Sequence, residues 1–251
     1  MQEICYSYDG SFTGFLTVIY ESIKDRIIPE KIDSVYKNDK DLFSEYIHIA
    51  SDEKKSNQVL AHLQKDYSKE IIENIFYSFL SNENSIELKI FHYINDIMKN
   101  KKNINSDFSN DNVLTIRKVV DKVKFEAHRF MGIIRFAETK DDIYYAPIEP
   151  DNNIVYIIAE HFVKRYRSQK FLIHDVARNI GAYYDEKKID FIEVNLNGKI
   201  EDNYSTDEKK YQQLWKSYFK NIAIQERKNP KLQRQFIPIR YWKYLTEKKD
   251  C

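Results

Sequence analysis

The sequence predicts an α+β protein that is mainly helical, with an antiparallel sheet of about five strands and a basic, aromatic segment at its C-terminal end. Three observations carry that prediction. Apolar residues recur at helical spacing as far as Phe130, short β-rich runs joined by charged turns begin at Ile133, and cations interleave with rings from Lys209 onward.

Taken in order, Ile4 to Tyr8 reads as a short strand, and Asp9 is placed to cap a helix whose apolar positions are Phe12, Phe15, Leu16, Ile19, Tyr20 and Ile23. Tyr46 to Ala50 alternates as a half-buried strand does. Two amphipathic helices follow, one on Ile71, Ile75, Phe76 and Phe79, the other on Ile86, Ile90, Tyr93, Ile94 and Ile97. Lys99 to Asn112 is polar and Asn-rich, so it reads as a loop and as the best internal boundary. Beyond it, Val113, Ile116, Val120, Val123, Ala127 and Phe130 share one helical face.

The runs IIRFAE, IYYAPI, KFLIHD, NIGAYYD and DFIEVN then suggest strands that pair antiparallel, interrupted by a helix from about Asn153 to Arg167 that packs across the sheet. Asp151 and Asn152 read as the N-cap of that helix. Ser205 and Glu208 form a capping-box pattern announcing a further helix, with Tyr211, Leu214, Trp215, Tyr218, Phe219 and Ile222 as its buried face.

Composition bounds the rest. A chain of 251 residues suffices for one large domain or two small ones. A single α+β domain over 1–251 is expected, divisible into a helix-rich part, 1–110, and a sheet-containing part with the basic segment, 111–251. Two cysteines, Cys5 and Cys251, offer neither a disulfide framework nor a thiolate metal site. No apolar stretch approaches a membrane span, and the first residues lack the pattern of a secretory signal, so a cytoplasmic protein with no membrane partner is expected. Lys209 to Lys249 holds twelve Lys or Arg against Glu226 and Glu247 alone, a net +10, so the remaining residues carry −9 of the chain's +1. Such asymmetry lets one face attract polyanions; a solvated basic tail is the plainer alternative.

Three constellations could carry function. In NPKLQRQFIPIRYWKYLTE, cations neutralise phosphates while rings stack on exposed bases. With the preceding helix, the candidate nucleic-acid contacts are Lys216, Lys220, Arg227, Lys231, Arg234, Arg240, Trp242 and Lys243. Equally, Trp242 and Tyr244 could pin the tail to the body. In HRFMGIIRF, Gly132 suits a helix C-terminal cap, and Arg135 lies between apolar neighbours, facing a carboxylate such as Glu149 or Asp175, or a phosphate. Third, His161, Arg165, His174, Asp175 and Arg178 sit on neighbouring elements. His174 and Asp175 are adjacent on a strand and point to opposite faces, so they cannot form a dyad. Catalytic candidates are His128, Arg135, His161, His174 and Asp175, each weighed against a structural role. No metal site and no cofactor is expected, because no HExxH, Gly-rich phosphate loop or nucleophile elbow occurs.

Together YDGSFTGFLTVIYES, HRFMGIIRF, YYAPIEPDNN, the AEHF helix, FLIHD and NPKLQRQFIPIRYWKYLTE resemble a bacterial family of unknown biochemical function linked to DNA metabolism and repair. The resemblance spans nearly the whole chain. It implies DNA as a ligand and two protein partners: a radical-SAM protein that occurs alongside, and a uracil-DNA glycosylase-like domain to which a similar region is joined in longer proteins. It carries over no catalytic residue. Two cysteines cannot ligate an iron–sulfur cluster, so the chain would be the partner of the radical-SAM protein, not that protein itself. The leading expectation is an accessory protein that binds nucleic acid; the alternatives are an enzyme acting on nucleic acid through a His/Arg/Asp pocket, and a protein-interaction scaffold.

Overall fold

The computed structural model describes residues 4–36, 45–100, 107, 109–196 and 200–248. The chain divides into two compact units, Met1–Lys124 and Phe125–Cys251. The division falls inside a helix, not in the polar run from Lys99 to Asn112, half of which lies outside the described residues.

In the first unit, β1 (Cys5–Tyr8) lies between β2 (Lys31–Ser34) and β3 (Tyr46–His48), parallel to both. All four residues of β1 are buried, as expected of a central parallel strand covered on both faces. Gly10, at φ +79°, makes the turn into α1 (Phe12–Lys24). That turn moves the helix start, so the N-cap is Ser11, whose Oγ accepts from Gly14 N at 2.9 Å, and not Asp9. Asp9 instead accepts from Ser11 N at 3.0 Å and from Ser51 Oγ at 2.5 Å, bracing the cap. Helices α2 (Glu53–Asp66), α3 (Lys69–Phe79), α4 (Ile86–Asn100) and the first turns of α5 (Asp111–Ile133) supply the rest of the core, with Phe15, Leu16, Ile71, Ile75, Ile90 and Ile94 almost fully buried.

The second unit is built on a five-stranded sheet of order β4-β5-β6-β7-β8: Ala137–Glu138, Tyr144–Ile148, Phe171–Asp175, Ile180–Tyr184 and Ile189–Glu193. Four fall within the runs that predict strands, and β8 begins one residue before its run, DFIEVN. Three of the pairings are antiparallel, but β5 and β6 are parallel, so the fully antiparallel expectation is corrected. The reason lies between them: α6 (Val155–Arg165) carries the chain back along the sheet, and a strand–helix–strand crossover returns in the same direction.

Register assigns the faces. Tyr145 pairs with Leu172 and Pro147 with His174, so these four share one face. Ala146, Ile173, Ala182 and Phe191 share the other, against which α6 packs, with Tyr156 touching the Phe191 ring at 4.5 Å. Asp151 and Asn152 do not cap α6, whose N-cap position is Ile154. Gly132 lies inside α5 and ends nothing, while Arg135 precedes β4 in irregular chain.

Helix α7 (Thr206–Ile222) starts at Ser205, whose Oγ accepts from Glu208 N at 3.1 Å. Its predicted buried face is exposed: no α7 residue is buried, and Tyr211 and Leu214 each remain 63% accessible. Periodicity identified the apolar stripe correctly, but among the described residues it is covered only in part, by Arg135 and Glu247 at Trp215 and by Lys248 at Phe219. A short helix, α8 (Pro230–Phe236), and two 3₁₀ turns, Ile239–Tyr244 and Thr246–Lys248, complete the unit.

Candidate nucleic-acid interface and an adjoining cavity

The C-terminal segment is tied to its unit by the loop joining β5 to α6. Glu126 on α5, only 4% exposed, accepts from Asp151 N at 2.8 Å and Asn152 N at 2.9 Å. The same carboxylate takes Asn152 Nδ2 and the Tyr241 hydroxyl, each at 2.6 Å. Burial, and then the bond to Glu126, raise the Tyr241 pKa well above its ordinary value, so the phenol stays a donor. Arg240 donates to Asp151 Oδ2 at 2.5 Å, and Arg178 binds Pro150 O, Asp151 O and Asp175 Oδ2. Asp175 therefore serves the loop. Its carboxylate also accepts from the backbone N–H groups of Ala177 and Arg178.

Further along, Lys243 donates to Glu149 at 2.8 Å, and that bond pushes its pKa up to about 12. Trp242 is half-buried, its indole N–H given to Ile237 O at 2.8 Å. Arg135 pairs with neither Glu149 nor Asp175 but with Glu247, through bonds of 2.8 and 3.3 Å, and Trp215 adds a third donor at 2.9 Å. Burial would raise the Glu247 pKa; Arg135 and Trp215 outweigh it and hold the carboxylate below its usual range.

The candidate nucleic-acid residues therefore separate into two sets. Arg240, Lys243 and Trp242 are occupied within the unit. Lys220, Arg227, Lys231 and Arg234 are exposed and, among the described residues, form no ion pair; Lys216 is half-buried on α7. Between α7 and α8 runs a groove of about 760 Å³ whose walls include Lys216, Lys220, Arg227 and Lys228, with the rings of Phe219 and Phe236. Lys248 closes one side, over the rings of Trp242 at 4.5 Å and Phe219 at 5.5 Å. The acid on this wall, Glu247, is already neutralised by Arg135.

A second recess, about 290 Å³, opens on the sheet face turned away from α6. Its walls include Tyr145, Pro147 and His174 from the strands, Phe136 beside β4, and Tyr244 and Thr246 from the C-terminal segment. His174 is 3% exposed; its Nδ1 meets the Tyr145 hydroxyl at 2.8 Å, and its Nε2 has no partner. Burial lowers the His174 pKa against a weaker opposite pull from Asp175, so the ring is neutral at neutral pH.

Of the catalytic candidates, Arg135 and His174 line this recess together. His128 is exposed on α5, His161 stands half-buried against Phe162 on α6, and Asp175 is on the opposite face of the sheet. Among the described residues no three His, Cys, Asp or Glu come together as a metal site, and no helix is long and apolar enough to cross a membrane. Residues 84–247 match DUF4130, a domain of unknown function. The chain belongs to the DUF4130 family. No curated protein and no solved structure matches it. The matched stretch contains the recess, Glu126 and all of the groove lining but Lys248.

Three residues of this DUF4130 site escaped sequence reasoning. Glu126 had a readable signal, because it falls within the apolar stripe of Val123, Ala127 and Phe130, where a carboxylate must find donors. Tyr145 and Glu247 had none, since their partners are set by strand register and by a contact spanning 112 residues of chain.

Proposed function

We propose that this DUF4130 protein is an accessory protein of DNA metabolism or repair that holds nucleic acid in the groove between α7 and α8. The observation that carries this reading is the set of three exposed cations lining that groove, Lys220, Arg227 and Lys228, beside the rings of Phe219 and Phe236. Cations without internal carboxylate partners are available to phosphates, and Phe219 and Phe236 offer faces on which unpaired bases stack for about 1–3 kcal/mol each. Arg240, Trp242 and Lys243 then act by fixing the wall of the groove. Resemblance to proteins found beside a radical-SAM enzyme, and to a region joined to uracil-DNA glycosylase-like domains, supports those two as partners and the cytoplasm as the compartment. The exposed apolar stripe of α7 supports a protein contact close to the bound strand.

The test is a titration with single-stranded oligonucleotide at about 50 and 200 mM salt. Three phosphate contacts predict a log–log salt slope near −2, from about −0.7 per contact on single strands. Replacing Arg227 and Lys228 together by Ala should flatten the slope by about 1.4 and weaken binding at every base composition. No binding at low salt, or an unchanged slope in the double variant, overturns the reading.

A further inference from the structure

We propose that the recess floored by His174 is a binding site for a single nucleobase, which enters it from a strand lying in the α7/α8 groove. The inference rests on the nucleic-acid reading for its ligand class, and on its own geometry for the site.

His174 supplies the first argument. One ring nitrogen is engaged by Tyr145 and the other has no partner, although the side chain is 97% buried. An unsatisfied buried polar atom costs about 1–3 kcal/mol, and such groups are rare unless something else satisfies them. The strand register turns this side chain to the face that bears the recess, away from α6. Because the ring is neutral, Nε2 is a donor when the Tyr145 hydroxyl donates to Nδ1, and an acceptor when the hydroxyl accepts. The Watson–Crick edge of a base carries ring nitrogens, carbonyls and amines side by side, so it can satisfy either form.

Shape supplies the second. A dry cavity of about 150 Å³ is enough to hold benzene, so about 290 Å³ admits a one- or two-ring heterocycle. Phe136, Tyr145, Tyr204 and Tyr244 give the recess aromatic walls, while Asn179 and Gln212 add polar residues to its lining. Aromatic walls with a few polar groups aimed at one edge are what an extruded base requires.

Continuity supplies the third. Thr246 lines the recess, and its neighbours Glu247 and Lys248 line the groove, so one 3₁₀ turn borders both. A backbone held along the groove can therefore place one base across that turn, and a base in single-stranded DNA enters without breaking a pair.

The experiment titrates the full chain with the four deoxynucleosides, and separately with a single-stranded oligonucleotide carrying one 2-aminopurine. Binding is followed by the 15N resonances of the His174 imidazole and by 2-aminopurine fluorescence. At least one nucleoside should shift the Nε2 resonance in the wild-type protein, and His174→Phe should weaken that nucleoside tenfold or more while leaving oligonucleotide affinity within about twofold. Arg227→Ala with Lys228→Ala should do the reverse. If the oligonucleotide binds but no nucleoside moves the imidazole and 2-aminopurine fluorescence does not change, the recess proposal is overturned and the groove stands. Nucleoside binding without oligonucleotide binding overturns the groove alone. The wild-type imidazole measurement keeps the test decisive even if His174→Phe does not fold.

Discussion

Replacing Glu126 with Ala should be among the most destabilising single changes in the second unit. Its carboxylate takes four hydrogen bonds: two from the backbone N–H groups of Asp151 and Asn152, one from Asn152 Nδ2 and one from Tyr241. Alanine removes the shared acceptor of all four donors; the Tyr241 hydroxyl keeps Asp151 Oδ2 at 3.3 Å, and each other donor that finds no partner costs about 1–3 kcal/mol. With water reaching part of the loop, the total should fall near 3–5 kcal/mol, the upper range for one substitution. Glu126→Gln keeps an oxygen for one pair of donors but turns an amide NH₂ toward the other. The tyrosine hydroxyl can rotate to accept from that group, but a backbone N–H cannot, so about 1–3 kcal/mol should be lost. The readout is convenient, because both tryptophans, Trp215 and Trp242, lie in the second unit. Urea unfolding followed by their fluorescence should show the midpoint of Glu126→Ala lowered by about 1–2 M, for a slope of about 2–3 kcal/mol per M. Tyr241→Phe should cost about 1 kcal/mol in the wild type and much less in the Glu126→Ala background, a coupling that identifies the shared bond. If Glu126→Ala loses under about 1 kcal/mol, or the two changes simply add, the carboxylate is not what anchors the C-terminal segment.

Other consequences are open to similar measurements. Gly181 pairs with His174, and a Cβ there would press on Val194 Cγ2 and lie 2.8 Å from Leu172 Cδ1; Gly181→Ala should therefore cost about 1–3 kcal/mol of overpacking in urea melts. Glu247 has a depressed pKa in the folded state, so its contribution is complete above the ordinary carboxylate value of about 4.3 and is lost as pH falls through the folded value. The acid limb of a stability profile should flatten in Glu247→Gln. His174 is also depressed, so stability should begin to fall as pH drops below about 6.5, where the unfolded imidazole takes a proton that the folded one refuses. His174→Phe should remove that inflection, and its persistence would assign the titration elsewhere. Arg135→Ala strands the nearly buried Glu247 carboxylate and should cost more than Glu247→Gln, by about 1–2 kcal/mol in the same melts.

How much of this was legible depends on whether the signal is local. The strand runs in the second unit were readable because each is a short β-rich stretch bounded by charged or turn-forming residues, and α7 announced itself through Ser205 and its apolar stripe. The parallel pairing of β5 with β6 was in principle readable too, since the helix between them dictates a crossover. Helix α2 and strand β2 went unseen because EKKSNQVLAHLQKD and KIDS carry too few apolar positions to show a period. Covering is not a local property, and there the pattern misled: an apolar stripe says which side of α7 could be buried, not whether anything lies against it.

The same distinction governs the cations. Along the chain, Arg234 and Arg240 look alike, each a basic residue in the same aromatic-bearing run, Arg234 between two glutamines and Arg240 between Ile239 and Tyr241. In the folded unit Arg240 faces Asp151, 89 residues away in sequence, and Lys243 faces Glu149, 94 away, whereas Arg234 on α8 faces solvent. The −9 carried outside the basic segment is thus not spread uniformly: two of its acids, on the β5–α6 loop, meet the first 3₁₀ turn and neutralise it. What remains positive is the surface of α7 and α8, so any polyanion this unit attracts should be drawn to the groove between those helices and not to the aromatic turn that looks most like a nucleic-acid motif in the sequence.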